Sequence, residues 1–114
     1  MKFEYKKIDH AAIVKVNIKG ATLTDAQDFK HHLQQIYESG NYNIIVDCSE
    51  VNYMDSSFLV ALVIYLKRCI SQGGDLKIVR SNEDKPVWNM FEIARMNNIF
   101  NIFYSCEEAA KSIS

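Results

Sequence analysis

The stretch from Asn43 to Leu66 limits the possible folds of this chain more than any other. It opens with a short apolar run, Ile44-Ile45-Val46, that ends in Asp47 and a turn through Cys48, Ser49 and Glu50. Val51, Asn52, Tyr53 and Met54 follow, then Asp55-Ser56-Ser57, and then nine consecutive apolar residues from Phe58 to Leu66. A short apolar run bounded by turn residues fits a buried strand, and a longer one behind a Ser/Asp cluster fits a helix packed on it. Serine and aspartate are favoured at that junction because their oxygens accept from backbone N–H groups that the first helical turn leaves unpaired. The same N–H groups, at the positive end of the helix dipole, suit a phosphate equally well. Two readings therefore compete at Asp55-Ser56-Ser57: a plain helix cap and a phosphorylation switch.

The rest of the chain supplies the elements around this junction. Phe3 to Ile8 alternates, with Phe3 and Tyr5 on one face and Glu4 and Lys6 on the other, which predicts an edge strand. Ala12 to Ile18 reads as a second strand, joined to the first through a hairpin link at Asp9 and His10, and Gly20 ends it. Thr24 with Gln27 three residues on has the pattern of a capping box and predicts the start of the first helix. Phe29, Leu33, Ile36 and Tyr37 continue that helix at helical spacing, and Ser39-Gly40 stops it. Asn43 to Asp47 is the third strand, and the second helix runs from Ser56 to Ser71 and ends at Gly73-Gly74. Leu76 to Val79 is the fourth strand. Pro86 opens a third helix, where its missing N–H costs nothing, and that helix fades near Asn97 and Asn98. Ile99 to Tyr104 is the fifth strand, and Ser105 with Glu108 caps a final helix. The order ββαβαβαβα predicts a single α/β domain over 1–114, with a mixed sheet of about five strands and four helices.

Composition narrows the function. Thirteen basic and fourteen acidic residues leave a formal charge of -1, which gives no electrostatic footprint for nucleic acid or an anionic membrane surface. The Phe58–Leu66 run is far short of the ~18–20 residues of a membrane span and is closed by Lys67 and Arg68, so no membrane insertion is expected. The charged, alternating N-terminus is unlike a signal peptide. Cys48, Cys69 and Cys106 are an odd count without metal-like spacing, which fits free, mostly buried thiols in a reducing cytoplasm. His31 and His32 are adjacent on a helix and point about 100° apart, a poor arrangement for one metal. The aromatics Trp88, Phe91, Phe100, Phe103 and Tyr104 read as core, and Asp47 reads as a residue that bonds turn amides. A phosphoacceptor receiver domain would need an acidic pair after the first strand and a lysine after the fifth; Asp9-His10 and Ser105-Cys106 stand there instead. No cofactor loop, zinc spacing or nucleophile–base pair is visible.

With these residues in hand, the chain resembles the STAS domains, and more narrowly the bacterial anti-sigma factor antagonists. The resemblance rests on the strand Ile44-Ile45-Val46-Asp47, the turn to Val51, and Asp55-Ser56-Ser57 at the head of the second helix. Gly73-Gly74 before Asp75-Leu76-Lys77-Ile78-Val79, and Phe91-Glu92-Ile93-Ala94-Arg95-Met96 with Ile99-Phe100, extend it over essentially the whole chain. It implies that Ser56, directly after the aspartate, is the phosphorylated residue, and that Asp55, Ser56, Ser57 and Phe58 contact the partner. The partner it implies is an anti-sigma factor, often itself the serine kinase that uses ATP to modify that serine, with a separate serine phosphatase resetting it. The protein would then be a cytoplasmic regulator of transcription and a kinase substrate rather than an enzyme, without cofactor or metal, and a monomer or weak dimer. The alternative is a STAS scaffold without a phosphorylation cycle, or a subunit of a larger assembly such as a lipid transporter. Phe58 and Val60 stand where the family pattern has glycine, and this is expected to change the surface that a kinase embraces. Leu23 stands where family members often carry an acidic residue, with Asp25 nearby.

Overall fold

The computed structural model describes residues 2–8 and 10–113. Chain order is β1 (Phe3–Ile8), β2 (Ala11–Val16), β3 (Gly20–Ala21), α1 (Leu23–Glu38), β4 (Asn43–Asp47), β5 (Tyr53–Met54), α2 (Ser56–Ser71), β6 (Asp75–Val79), α3 (Pro86–Ile93), β7 (Asn101–Phe103) and α4 (Cys106–Lys111). Five strands form one mixed sheet in the order β1-β2-β4-β6-β7, and β3 pairs with β5 in a separate two-stranded ribbon. The β1–β2 pair is antiparallel, with Phe3 opposite Val16, and it places β1 at an edge as its alternation predicts. The remaining neighbours in the sheet are parallel. Asp9, one of the two residues assigned to the hairpin link, lies outside the described residues.

Parallel strands need crossovers, and the helices provide them. Alternate residues of the central strands point to opposite faces. Val14, Val16, Ile44, Val46, Leu76 and Ile78 join the buried side of α1, α2 and α3 in the main core. Ala11, Ile45 and Val79 face the other way and are covered by Ala109 of α4. Within α2 the buried residues Phe58, Ala61, Leu62, Tyr65, Leu66 and Cys69 recur every three or four positions, the spacing of one helical face. The nine-residue apolar run therefore has its remaining members on the sides and the outer face of that helix.

Three expectations about boundaries and burial are corrected. First, α1 begins at Leu23 behind Thr22, not behind Thr24. Thr22 and Asp25 form the capping box, with the Asp25 carboxylate accepting from the Thr22 N–H at 3.5 Å. An aspartate in this place adds a full negative charge near the positive helix end, which Gln27 cannot. Lys2 holds that carboxylate with a 2.9 Å ion pair, and this contact keeps the Asp25 carboxyl below its ordinary range. Second, β7 is shorter than Ile99–Tyr104, because Met96–Asn98 forms a 3-10 turn entered through Arg95 at φ 60°. Third, Tyr104 is not core: it is 54% exposed, and its ring lies 5.2 Å from the Arg80 guanidinium. Trp88, Phe91 and Phe100 are buried as expected, and Phe103 is half-buried.

Candidate functional site

The Asp55-Ser56-Ser57 junction is held by backbone on three sides. The Asp55 N–H donates to the Ala21 carbonyl at 2.9 Å, fixing the residue beside the end of β3. One carboxylate oxygen, Oδ1, accepts from the Phe58 N–H at 3.1 Å and so caps α2. The other, Oδ2, accepts from the Leu23 N–H at 2.7 Å, the first N–H of α1. A single side chain thus satisfies donors at the starts of two helices, each of which would otherwise be unpaired. The consequence is that α1 and α2 begin side by side.

This arrangement gives a stability prediction. Asp55→Ala removes both acceptors and is expected to cost about 1–2 kcal/mol, the upper part of the usual range for losing an N-cap. Asp55→Asn keeps one good acceptor and should lose less. Urea denaturation of the two variants beside wild type checks the order; equal stability for Asp55→Ala and wild type would show that neither bond matters.

Ser56, the first residue of α2, is exposed, and Ser57 is half-buried. Both line a shallow groove between α1 and α2, together with Leu23, Ala26, Gln27, Lys30 and Val60. Leu23 is 64% exposed and Val60 54%, so two exposed aliphatic side chains line the same groove as Ser56. Lys30 is the charged residue lining this groove. The α1 half of the groove was not visible in the sequence, because nothing local says which helix lies beside α2. The available signal was the exposed stripe Leu23, Gln27 and Lys30 at three- and four-residue spacing, left over once the buried face of α1 is assigned.

The structure places Phe58 differently from its expected role at the partner surface. Its side chain is 0% exposed and stacks on Phe29 of α1, with ring centroids 4.4 Å apart and planes at 14°. Phe3 of β1 adds a third ring at 6.5 Å from Phe58. The assignment to the surface is therefore corrected: the way α2 lies on the sheet turns the second residue after Ser56 inward, and Phe58 is core. Of the two bulky residues at family glycine positions, Val60 is the one on the surface.

The other singled-out residues have structural duties. Asp47 accepts from the Ser49 N–H at 3.0 Å, the turn-holding role expected of it, and from the Cys106 thiol at 3.6 Å. Burial pushes the Cys48 thiol well up, the Cys69 thiol up to about 12 and the Cys106 thiol up to about 11, so all three stay protonated at neutral pH. His31 is exposed on α1, and His32 lies 5.3 Å from the Phe3 ring. Among the described residues, no cluster of three or more His, Cys, Asp or Glu is placed to hold a metal ion, and no helix is long and apolar enough to cross a membrane.

This fold, with a capped Asp-Ser-Ser junction at the head of its second helix, is that of a STAS domain. The STAS domain family model matches residues 2–109, and the chain belongs to that family. A Thermotoga maritima protein named "Putative anti-sigma factor antagonist" is 29% identical over 112 residues, spanning 97% of this chain and 96% of its own. The crystal structure of a Thermotoga maritima protein of the same description superposes with a TM-score of 0.84 at 25% identity, covering 97% of this chain and 93% of that one. The Bacillus protein SpoIIAA, solved in its phosphorylated form, shares the fold with a TM-score of 0.70 at 10% identity over 98% of this chain and 99% of its own.

Proposed function

We propose that this protein is a cytoplasmic anti-sigma factor antagonist that binds an anti-sigma factor through the Ser56 end of α2 and lets go when Ser56 is phosphorylated. The observation that carries this reading is the position of Ser56. Ser56 is exposed in the first turn of α2, in a groove it shares with the exposed side chains of Leu23 and Val60, on a frame fixed by Asp55. A partner seated on this surface buries the two aliphatic groups and meets a neutral hydroxyl.

Phosphorylation changes that meeting without unfolding anything. The partner, acting as the serine kinase, transfers the γ-phosphoryl group of ATP: a P–O bond forms to Ser56 Oγ, the bond to ADP breaks, and the hydroxyl proton leaves. The product carries roughly -1.5 to -2 charge at neutral pH. The N-terminus of α2 accommodates this charge, since the helix dipole favours an anion there. The partner does not: a surface built for a hydroxyl must then desolvate an anion beside the Asp55 carboxylate. A serine phosphatase restores the binding form by hydrolysis. The names of the relatives and the solution of SpoIIAA in a phosphorylated form support the reading.

The test is a pull-down from native-host lysate with wild type, Ser56→Ala and Ser56→Asp, with mass spectrometry of the captured proteins and of the Ser56 peptide. Ser56→Ala should retain the partner. Ser56→Asp should bind about a hundredfold more weakly, roughly 2–3 kcal/mol, as expected for a charge mismatch in a buried contact. The same captured proteins on all three, with Ser56 unmodified, would show instead a constitutive scaffold.

A further inference from the structure

The groove beside Ser56 has a feature that a binding surface for a neutral hydroxyl does not need. Lys30 lines it from α1, and among the described residues its ammonium group has no ion-pair partner. We infer that Lys30 is the internal counter-ion of the phosphorylated state, pairing with a phosphate on Ser56 across the α1/α2 groove. This rests on the phosphorylation reading above and adds to it a mechanism: the modified serine and Lys30 together close the groove between Leu23 and Val60.

The geometry follows from how the two helices start. The Leu23 N–H on Asp55 puts the first residue of α1 beside the first turn of α2. Lys30 lies seven residues further on the same stripe, about two turns or on the order of 10 Å along the axis. Side chains on a helix lean toward its N-terminus, so the four-carbon stem of Lys30 leans toward the end of α1 that stands beside the first turn of α2. Gln27 stands between Leu23 and Lys30 on the stripe, lines the same groove and offers an amide donor. A phosphate extends outward from Ser56 by a P–O bond and carries the charge to be met. The carboxylate nearest in sequence, Asp55, is already held by two backbone N–H groups, and so it is not free to compete for Lys30. The phosphate would thus act on the partner in two ways, as an unwelcome charge and as one end of a bridge over the apolar contact surface.

The experiment needs neither kinase nor partner. Phosphoserine is installed at position 56 by genetic encoding, and the phosphate is titrated by phosphorus NMR in the otherwise wild-type protein, in Lys30→Met and in Lys67→Met. Lys67 is an exposed lysine near the far end of α2 and serves as the control. Pairing stabilises the dianion, so Lys30→Met is expected to raise the phosphate midpoint by about half a pH unit, the size of an exposed ion pair. Lys67→Met should leave it unchanged. Identical midpoints for the otherwise wild-type and Lys30→Met proteins would overturn the role of Lys30. Because no partner is involved, that result would leave a working Ser56→Asp switch standing, and a failed switch would leave the pairing measurement valid.

Discussion

Phe58→Ala is expected to destabilise the protein by about 3–5 kcal/mol, the range for emptying a large buried aromatic site. The ring is fully buried, and it stacks on Phe29 at 4.4 Å, with Phe3 on the edge of the same cluster. These three rings come from β1, α1 and α2, so their contact sets the spacing between the two helices that frame Ser56. Removing one opens a void that the other two fill only by moving the helices together. Phe58→Leu retains most of the volume and should lose clearly less. Phe58→Gly, which restores the residue of the family pattern, should lose most, because it adds about 1 kcal/mol of helix propensity to the cavity. Urea denaturation with unchanged slopes would read all three. A loss below about 1 kcal/mol for Phe58→Ala would mean that the helices close over the gap without penalty. The position also bears on partner choice: an inward ring cannot touch a partner, so a folded Phe58→Leu protein should bind as wild type does.

That contrast between Phe58 and Val60 marks where the sequence was legible and where it was not. The second helix was predicted at Ser56–Ser71, its observed span, since a polar cap, an apolar run and a double glycine all agree there. The starts of the third and fourth helices were legible through Pro86 and the Ser105/Glu108 pair, where Ser105 accepts from the Glu108 N–H at 3.1 Å, but the third ends at Ile93, short of the expected fade near Asn97 and Asn98. Nine apolar residues in a row, however, erase the periodicity that separates buried from exposed. Neither Phe58 nor Val60 could be placed by pattern alone; only the register of the helix on the sheet decides. The start of α1 failed for a different reason: two overlapping pairs, Thr22/Asp25 and Thr24/Gln27, satisfy the same local rule. The ion pair from Lys2, a residue 23 positions away from Asp25, favours the first. The groove itself is a product of tertiary packing. Asp55 was legible as a cap for its own helix but not as the acceptor for Leu23, 32 residues earlier.

Gly74→Ala should also be severe, and for a reason that separates it from its neighbour. Both glycines read in sequence as one helix stop, but they do different things. Gly73 has φ +83° and open space within 4 Å of the place a β-carbon would occupy, so an alanine there meets only the conformational cost of the left-handed region, about 1–2 kcal/mol. At Gly74 a β-carbon would lie 1.8 Å from the Tyr42 carbonyl oxygen and 2.5 Å from its carbon. These are backbone atoms, and that carbonyl already accepts from the Asp75 N–H at 3.0 Å where β6 begins beside β4. No rotamer change relieves the clash; the turn must move away from β4, breaking this bond and straining the Gly74 N–H bond to the Cys69 carbonyl at 2.8 Å. The expected loss is roughly 3 kcal/mol or more, at or above the top of the usual range for overpacking. Denaturation midpoints of the two alanine variants measure the difference, and equal losses would mean that the turn yields freely. The turn follows the C-terminal end of α2 and Ser56 stands at its N-terminal end, so the whole 16-residue helix, more than four turns, separates them. The folded fraction of Gly74→Ala should therefore still distinguish a serine from an aspartate at position 56, so that stability and switching separate along the same helix.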